Sequence, residues 1–405
     1  MNRDNNIKIS FKLTKQPAYA SACVDGQTVF ACGAEENMLN CMVYYDFRDK
    51  PLTLKAAVHE GDFIEIVMMS YRIELRVNQK VCDEEWPAGC CLFRPDVALN
   101  TNLEIQAEVY TPIVQPQPYV VGTFTDAEGW KPSDNIFVGD CMPYVHNGRY
   151  HVLYLRDRRH HGSKWGLGAH QWEHISTTDF RHWEIHPTAI GITAPNEGSI
   201  CTGSWIKAQE IQYLFYAVRM IDGSPAHICR CISHDGYHFE KDHTFSFMLP
   251  KEYDAPSTRD PKVVADSDGL YHMFLTTSMP ENGRKGCLAH FVSFDLYDWK
   301  DAGSPIYVAP NSEQPECPDY FYYRGYYYLV YSLNATGYYL YSDSPFSGWK
   351  IPQNPVIPCG CVPKGAIWED KIVFTGFKMT ENKWGGTMTF VEAVSDERGE
   401  LIWLE

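Results

Sequence analysis

Apolar and polar residues alternate in short runs through the first hundred residues. Ile7-Lys-Ile-Ser-Phe-Lys-Leu13 alternates in this way, and so does Ile73-Glu-Leu-Arg-Val77, which leads into the turn-forming pair Asn78-Gln79. A period of two residues is typical of strands with one buried face, and few runs here have a helical period. The pattern therefore predicts a small all-β domain at the start of the chain.

A proline-rich stretch, Thr111-Pro-Ile-Val-Gln-Pro-Gln-Pro118, follows this domain. Such a composition favours a stiff, extended linker. The segment 62–81 before it resembles the late strands of a concanavalin-like (laminin-G-type) β-sandwich. We therefore predict an N-terminal β-sandwich domain and linker over residues 1–118 and a second domain over residues 119–405.

The second domain contains an internal repeat. Each copy has a turn followed by an aromatic strand, as in Asn147-Gly-Arg-Tyr150, and then a Ser, an Asp within three residues and a closing aromatic residue. The closing aromatics stand 56, 60, 50 and 54 residues apart and are Trp183, Phe239, Trp299, Trp349 and Trp403. A repeat of this length made of strands and turns is typical of a β-propeller, so five copies predict five blades.

Composition narrows the possible partners. Of 405 residues, 35 are Lys or Arg and 51 are Asp or Glu, a net charge of −16, which argues against nucleic acid or an anionic membrane as the partner. No run approaches the ~20 apolar residues of a membrane span, and the start has no apolar signal-peptide core. We expect a cytoplasmic protein that acts on a small neutral ligand, with reduced thiols at its 14 cysteines. We expect no structural metal, because the paired cysteines lack zinc-site spacing.

Three acidic residues fall at similar places in the repeat. Counting back 10 or 11 residues from the aromatic strand gives Asp140, Asp260 and Glu316, and in the other two blades Thr202 and Cys361. The innermost strands of a propeller surround its axis, so these carboxylates are expected to converge at one height. Mutual repulsion makes such a cluster unfavourable for folding, so a catalytic role is the best explanation for it. Cleavage of a glycosidic bond needs one protonated acid and one ionised carboxylate. Local pairing of each acid, or a cation held by all three, stays open.

These motifs resemble glycoside hydrolase family 32, the β-fructofuranosidases, invertases and fructan hydrolases. The resemblance covers about residues 130–350 and rests on Arg259-Asp260-Pro261, on Glu316-Cys317-Pro318-Asp319, and on the run Trp165 to Trp183. It implies that Asp140 is the nucleophile, Glu316 the general acid and then base, and Asp260 a stabiliser of the transition state. The implied reaction is a retaining double displacement on a β-fructofuranoside such as sucrose or a fructo-oligosaccharide, with no cofactor.

Residues around the three acids are expected to bind the sugar. They are Trp165, Trp172, Thr202, Arg259, Asp319 and Arg159. Arg159 belongs to a basic segment, Arg156 to Lys164, that we expect near the pocket mouth. The pattern His170-Gln-Trp-Glu-His174 formally fits a zinc-binding motif, but that motif requires a helix. Here the repeat predicts a strand, so we expect these residues to pack in the blade or to line the substrate pocket.

Departures from the family pattern leave alternatives open. Gly139 stands where the family has Asn before the nucleophile, and the candidate sandwich precedes the propeller instead of following it. A family 43-like arabinofuranosidase or xylosidase, which inverts configuration, is one rival. A non-catalytic carbohydrate-binding propeller protein is another. The first domain has three open roles: binding sugar, forming a homodimer contact, or shaping the pocket.

Overall fold

The structure is a computed structural model that describes residues 6–46, 50–69, 72–85, 91–111, 118–132, 136–158, 170–194, 197–220, 224–280, 284–379 and 385–404. These residues form 31 β-strands and one short 3-10 turn, Ala255–Ser257, and group into two compact units. Nothing helical in the described ranges has the length and apolar character needed to cross a membrane. The stiff linker predicted at residues 111–118 lies almost wholly outside these ranges.

The first unit is a β-sandwich. Its ten strands are β1 Ile7–Lys12, β2 Ala18–Val24, β3 Gln27–Glu35, β4 Met38–Val43, β5 Leu52–Ala57, β6 Phe63–Met68, β7 Ile73–Val77, β8 Lys80–Glu85, β9 Leu99–Thr101 and β10 Ile105–Val109. They form two antiparallel sheets, in the orders β10-β1-β6-β7-β8 and β5-β4-β3-β2-β9. The alternation seen in the sequence places one face of each sheet inside, so both sheets contribute to a single core. Asn78 and Gln79 form the predicted turn, with φ of 51° and 69°.

The second unit is a five-bladed β-propeller. Blade one is β12 Ile136–His146, β13 Arg149–Arg158, β14 Gln171–Thr177 and β15 His182–Ile185, with β11 Gly122–Thr125 added at its outer edge. Blade two is β16 Glu197–Ala208, β17 Ile211–Met220, β18 His227–Ser233 and β19 Glu240–Lys241. Blade three is β20 Arg259–Ala265, β21 Tyr271–Met279, β22 Lys285–Ser293 and β23 Lys300–Asp301, with β24 Tyr307–Val308 pairing β22. Blade four is β25 Glu316–Tyr323, β26 Tyr326–Leu333 and β27 Thr336–Ser342, and blade five is β28 Val356–Trp368, β29 Lys371–Met379, β30 Gly386–Ser395 and β31 Leu401–Trp403.

The ring is closed where the last blade meets the first. Gly386 of β30 pairs with Val138 of β12. The segment that precedes blade one also binds β30, because Gly129 N–H donates to Met388 O and Met388 N–H donates to Trp130 O. Closure therefore joins residues about 250 positions apart in the sequence, and it fixes the five innermost strands around one axis.

The Ser–Asp element of the repeat is a hydrogen-bonded turn. In blades two and three the serine, Ser233 or Ser293, donates to the aspartate two residues on, which accepts backbone N–H groups from the next turn residues. In blade one the hydroxyl in this role is Thr177, bonded to Asp179, and not Ser176 as the sequence spacing suggested. Ser176 instead accepts a hydrogen bond from Arg149 Nε.

Blade one buries a cluster of three histidines. His151 Nδ1 lies 3.0 Å from His174 Nε2, and His186 Nε2 lies 2.7 Å from Ser176 Oγ. Burial lowers the pKa of His151 to about 3 and of His186 to about 4, and it holds the pKa of His174 well below its ordinary value. His170 lies 3.6 Å from Asp157 and does not join them. The His170–His174 strand thus provides packing residues.

These histidines predict a stability that falls in mild acid. Below pH ~6.5 the unfolded chain binds protons that the folded protein excludes, so the free energy of unfolding drops by about 1 kcal/mol per pH unit for each histidine until the folded pKa is reached. Urea denaturation at pH 7 and pH 5 measures the effect. His151→Gln should reduce it, whereas His59→Gln, at an exposed position, should leave it unchanged. Equal stability at both pH values would contradict the prediction.

Candidate active site

A bulge interrupts four of the innermost strands at the same height. In each case the innermost strand contains one residue more than the neighbouring strand between two paired positions. The bulges span Val138–Cys141, Arg259–Lys262, Glu316–Asp319 and Cys361–Lys364. Bulges re-aim side chains and are frequent next to active sites. Here they turn side chains of separate blades toward the axis.

The register corrects the expected equivalence of the three acids. Glu316 is the first residue of its bulge, Asp260 the second and Asp140 the third, so they do not share one position of the repeat. Counting back from the aromatic strand misplaced them for two reasons. The bulge begins 12 residues before Tyr150 and before Tyr271 but 11 before Tyr327, and the count itself was 10 residues for Asp140 and 11 for the other two acids. The acids are nevertheless linked by direct contacts.

Asp140 contacts residues of two other blades, Thr202 of blade two and Cys317 of blade four. Its Oδ2 accepts a hydrogen bond from Thr202 Oγ1 at 2.5 Å and lies 3.4 Å from Cys317 Sγ. Thr202 is held in place because Gly203 packs directly on the next strand: a Cβ there would lie 1.8 Å from Phe215 O. Thr202 is buried, so it orients the carboxylate of Asp140 and does not face the open pocket.

Asp260 is the buried member of the cluster. It is 3% exposed, and its Oδ2 accepts the backbone N–H of Cys317 at 3.0 Å. Asp260 and Cys317 both have left-handed backbone, with φ of 57° and 51°. Such conformations cost of order 1 kcal/mol each for residues other than Gly and cluster at functional sites. The bulges therefore hold Asp260 and Cys317 in strained positions that bring them together.

Glu316 is held by an arginine. Arg259 Nη2 donates to Glu316 Oε1 at 2.8 Å, and Arg259 Nε lies 3.6 Å from Asp260 Oδ2. Gln314 accepts a hydrogen bond from Arg259 Nη1 and donates to Ser257 and Ser278. The pKa of Arg259 lies above its ordinary value. Burial alone would lower this pKa, but the carboxylates of Asp260 and Glu316 raise it by more. Arg259 therefore remains a cation between two acids.

Exposure separates the acids into two kinds. Asp140 and Glu316 are partly open to solvent, with the side chain of Glu316 27% exposed, whereas Asp260 is enclosed. Two accessible carboxyl groups and one buried carboxylate, with a cation between two of them, form a site suited to acid–base and nucleophilic chemistry on a neutral substrate.

Of the other residues expected to bind the sugar, two are buried and two lie outside the described residues. Trp172 is wholly buried and donates its Nε1–H to Cys201 O, so it packs between blades and does not stack on a sugar. Asp319 is 1% exposed, forms an ion pair with Lys262 Nζ at 2.5 Å and accepts the backbone N–H of Gly365 at 2.8 Å. It therefore stabilises the contact between strands and does not bind substrate. Trp165 and Arg159 lie outside the described residues. Arg156, from the same basic segment, pairs with Glu173.

Four contributors were missed by the sequence reasoning: Gln314, Cys317 as a direct contact of Asp140, Lys262 and Lys364. Gln314 lies two residues before Glu316, and the lysines end the bulges of blades three and five. Lys262 follows Asp260 by two residues and Lys364 follows Cys361 by three, so only the strand register shows that the two lysines are equivalent. Nothing in the sequence marked Gln314.

The propeller and its cluster of carboxylates are the architecture of a glycoside hydrolase domain. Residues 137–350 match the family model described as the N-terminal domain of glycosyl hydrolases family 32. This match covers more than half of the chain and all three acids. The chain belongs to glycosyl hydrolases family 32.

Known relatives agree with this assignment. The chain is 25% identical over 291 residues to sucrose-6-phosphate hydrolase of Escherichia coli, which covers 63% of this chain and 59% of that protein. It therefore spans about three fifths of the length of that relative. Fructan 1-exohydrolase IIa from Cichorium intybus, solved in complex with 1-kestose, superposes with a TM-score of 0.57 at 17% identity, covering 71% of this chain and 61% of the other. A β-xylosidase structure superposes with a TM-score of 0.52 at 16% identity, over 66% of this chain and 96% of the other.

Proposed function

We propose that this protein hydrolyses terminal β-fructofuranosides by a retaining double displacement. The observation that carries the proposal is the pairing of two accessible acids with different partners. Asp140 accepts a hydrogen bond from Thr202, and Glu316 is held by Arg259. Membership of family 32 and the named activities of the relatives support fructose as the sugar.

In this mechanism Glu316 protonates the leaving oxygen while Asp140 attacks the anomeric carbon. The bond to the leaving group breaks as the ester to Asp140 forms. Water, deprotonated by Glu316, then opens the ester and releases the sugar. Asp260, fixed by the Cys317 N–H, is the proposed acceptor for furanose hydroxyl groups. Retention requires carboxyl groups of Asp140 and Glu316 ~5–5.5 Å apart, against ~6.5–9.5 Å for an inverting enzyme.

The proposed substrates are sucrose and short fructo-oligosaccharides, and the proposed compartment is the cytoplasm. The thirteen cysteines that the structure describes form no disulfide, which fits a reducing compartment. A cytoplasmic enzyme meets small imported sugars more readily than polymers. A homodimer, and the absence of nucleic-acid and membrane partners, stay predictions that light scattering and binding assays would test.

A substrate panel tests the activity. It comprises sucrose, sucrose 6-phosphate, 1-kestose, short inulin and levan oligomers, and the nitrophenyl α-L-arabinofuranoside and β-D-xyloside, each with wild type and Glu316→Gln. Release of fructose by wild type alone supports the proposal. Release of only arabinose or xylose would move the substrate toward the family 43 alternative. No release from any substrate, together with sugar binding by Asp140→Asn, would favour a non-catalytic binding protein.

The stereochemical course is a separate prediction. We expect proton-decoupled ¹³C NMR of sucrose labelled at the fructose anomeric carbon to show β-fructofuranose as the first-formed product, because two displacements at one carbon restore its configuration. The spectrum must be recorded within the first minutes, before mutarotation, with chemically generated fructose as the reference. First formation of the α-anomer would contradict the double displacement.

A further inference from the structure

A glutamine contacts the arginine that holds Glu316. Gln314 Oε1 accepts a hydrogen bond from Arg259 Nη1 at 2.7 Å, and Arg259 Nη2 donates to Glu316 Oε1 at 2.8 Å. One guanidinium group therefore binds Gln314 through one nitrogen and Glu316 through another. Because the guanidinium is planar and its donors have a fixed geometry, a partner that orients the first nitrogen also orients the second.

The amide group of Gln314 is also held on its other side. Its Nε2 donates to Ser257 Oγ at 2.8 Å and to Ser278 Oγ at 2.7 Å. An arginine can only donate hydrogen bonds, so the atom that faces Arg259 must be the amide oxygen. The two hydrogens of the amide nitrogen are then matched by the two hydroxyl oxygens. These contacts fix a single orientation of the Gln314 side chain.

The backbone around Gln314 is bound to blade three. Thr276 Oγ1 of β21 donates to Pro315 O at 2.8 Å. The segment lies so close to Gly286 of β22 that a Cβ at this glycine would be 2.0 Å from Glu313 O. Gln314 precedes a proline, which favours extended backbone at this position. Blade three therefore fixes the segment that leads into the first residue of β25, the candidate acid of blade four.

Two acceptors hold Arg259 at Nη1, the nitrogen that does not bind Glu316. Nη1 donates to Ser257 O at 2.7 Å as well as to Gln314 Oε1, so both of its hydrogens are used. The side chain of Arg259 is only 12% exposed, and a donor without a partner is unfavourable in such a place. Without the Gln314 acceptor, Ser257 O alone would hold Nη1, and the orientation of the guanidinium would no longer be fixed.

We propose that Gln314 is a positioning residue of the active site, which orients Arg259 toward Glu316 and so places this carboxyl group for proton transfer to the leaving oxygen. It acts through Arg259 and does not touch the substrate. This role rests on the proposed function of Glu316 as general acid. A neutral acceptor suits the position, because a carboxylate there would form its own ion pair with Arg259 and compete with Glu316 for it.

Gln314→Leu tests the proposal, because leucine has a similar size and cannot accept a hydrogen bond from Arg259. Its kcat/KM for sucrose should fall about tenfold, since a displaced acid transfers its proton less effectively. With β-fructosyl fluoride, whose departure needs little protonation, kcat/KM should stay within about twofold of wild type. Ser278→Ala, which removes one partner of the Gln314 amide, should cause a smaller loss of the same kind. Gln106→Leu, at an exposed position of β10, is the matched control and should change neither rate.

A second measurement needs no activity. Glu316→Gln, Gln314→Leu and the double variant form a cycle of unfolding free energies. Glu316→Gln should be less destabilising in the Gln314→Leu background than in wild type, by at least about twofold in the unfolding equilibrium constant, because Arg259 already holds Glu316 less firmly there. Additive effects in this cycle, or a loss of activity that is equal for sucrose and the fluoride, would overturn the proposal and leave Gln314 a structural residue. If wild type is silent on both substrates, the proposed function fails, and the cycle still decides whether Gln314 acts on Glu316.

Discussion

Glu316→Gln is expected to lower kcat/KM for sucrose by about 10²–10⁴-fold. The glutamine is close in shape and can still accept a hydrogen bond from Arg259, which now binds Glu316 at 2.8 Å. Its amide has no acidic proton to give to the leaving oxygen, and it cannot deprotonate water. Initial rates with sucrose, followed by fructose release, measure the loss.

The leaving group provides a sharper criterion. With β-fructosyl fluoride, whose departure needs little protonation, the first step should be nearly spared, and a covalent intermediate should accumulate because the base for its hydrolysis is missing. Intact-protein mass spectrometry would detect the added fructosyl group. Glu313→Gln is the matched control, since it changes a carboxylate to an amide at an exposed site three residues earlier. Equal losses with sucrose and with the fluoride would contradict the assignment of Glu316 as the acid.

Asp140→Asn is expected to cause the larger loss, of about 10⁴-fold or more, with both substrates. An amide cannot form the ester with the anomeric carbon, so activated leaving groups do not rescue the variant. The hydrogen bond from Thr202, 2.5 Å in wild type, still has an oxygen to accept it, so the fold should be unaffected. Rates with sucrose and with the fluoride, alongside circular dichroism, separate lost chemistry from lost structure.

An external nucleophile can take the place of the missing carboxylate. Asp140→Ala with azide and β-fructosyl fluoride should give α-fructosyl azide, because azide attacks once from the face that Asp140 occupied. Asp268→Asn is the control for Asp140→Asn, since it makes the same change in an exposed Asp-Gly turn where Asn is equally accepted. A fully active Asp140→Asn would remove Asp140 from the mechanism and reopen the binding-protein alternative.

The local patterns of the chain determined much of its architecture. Alternation predicted the sandwich strands, and five copies of a turn, an aromatic strand and a Ser–Asp element predicted five blades. These features are readable because each depends on neighbours within one hairpin: a period of two residues, a turn pair, or an Asp that caps its own turn. The candidate acids were readable for a related reason, since three carboxylates at similar places in a repeat are costly without a use.

Tertiary structure decided what depends on contacts between blades. Asp140, Asp260 and Glu316 occupy three different positions of their bulges, and the closed ring brings Asp140 and Asp260 into contact with Cys317, and Asp260 and Glu316 into contact with Arg259. Trp172 lies in the core and not in the pocket. The sequence did not distinguish the two positions, because an aromatic residue on a strand is suited to both. Lys364 acquired its environment from residues 161 positions away, at Gly203. Such a contact depends on distance in space, and a one-dimensional pattern does not contain that distance.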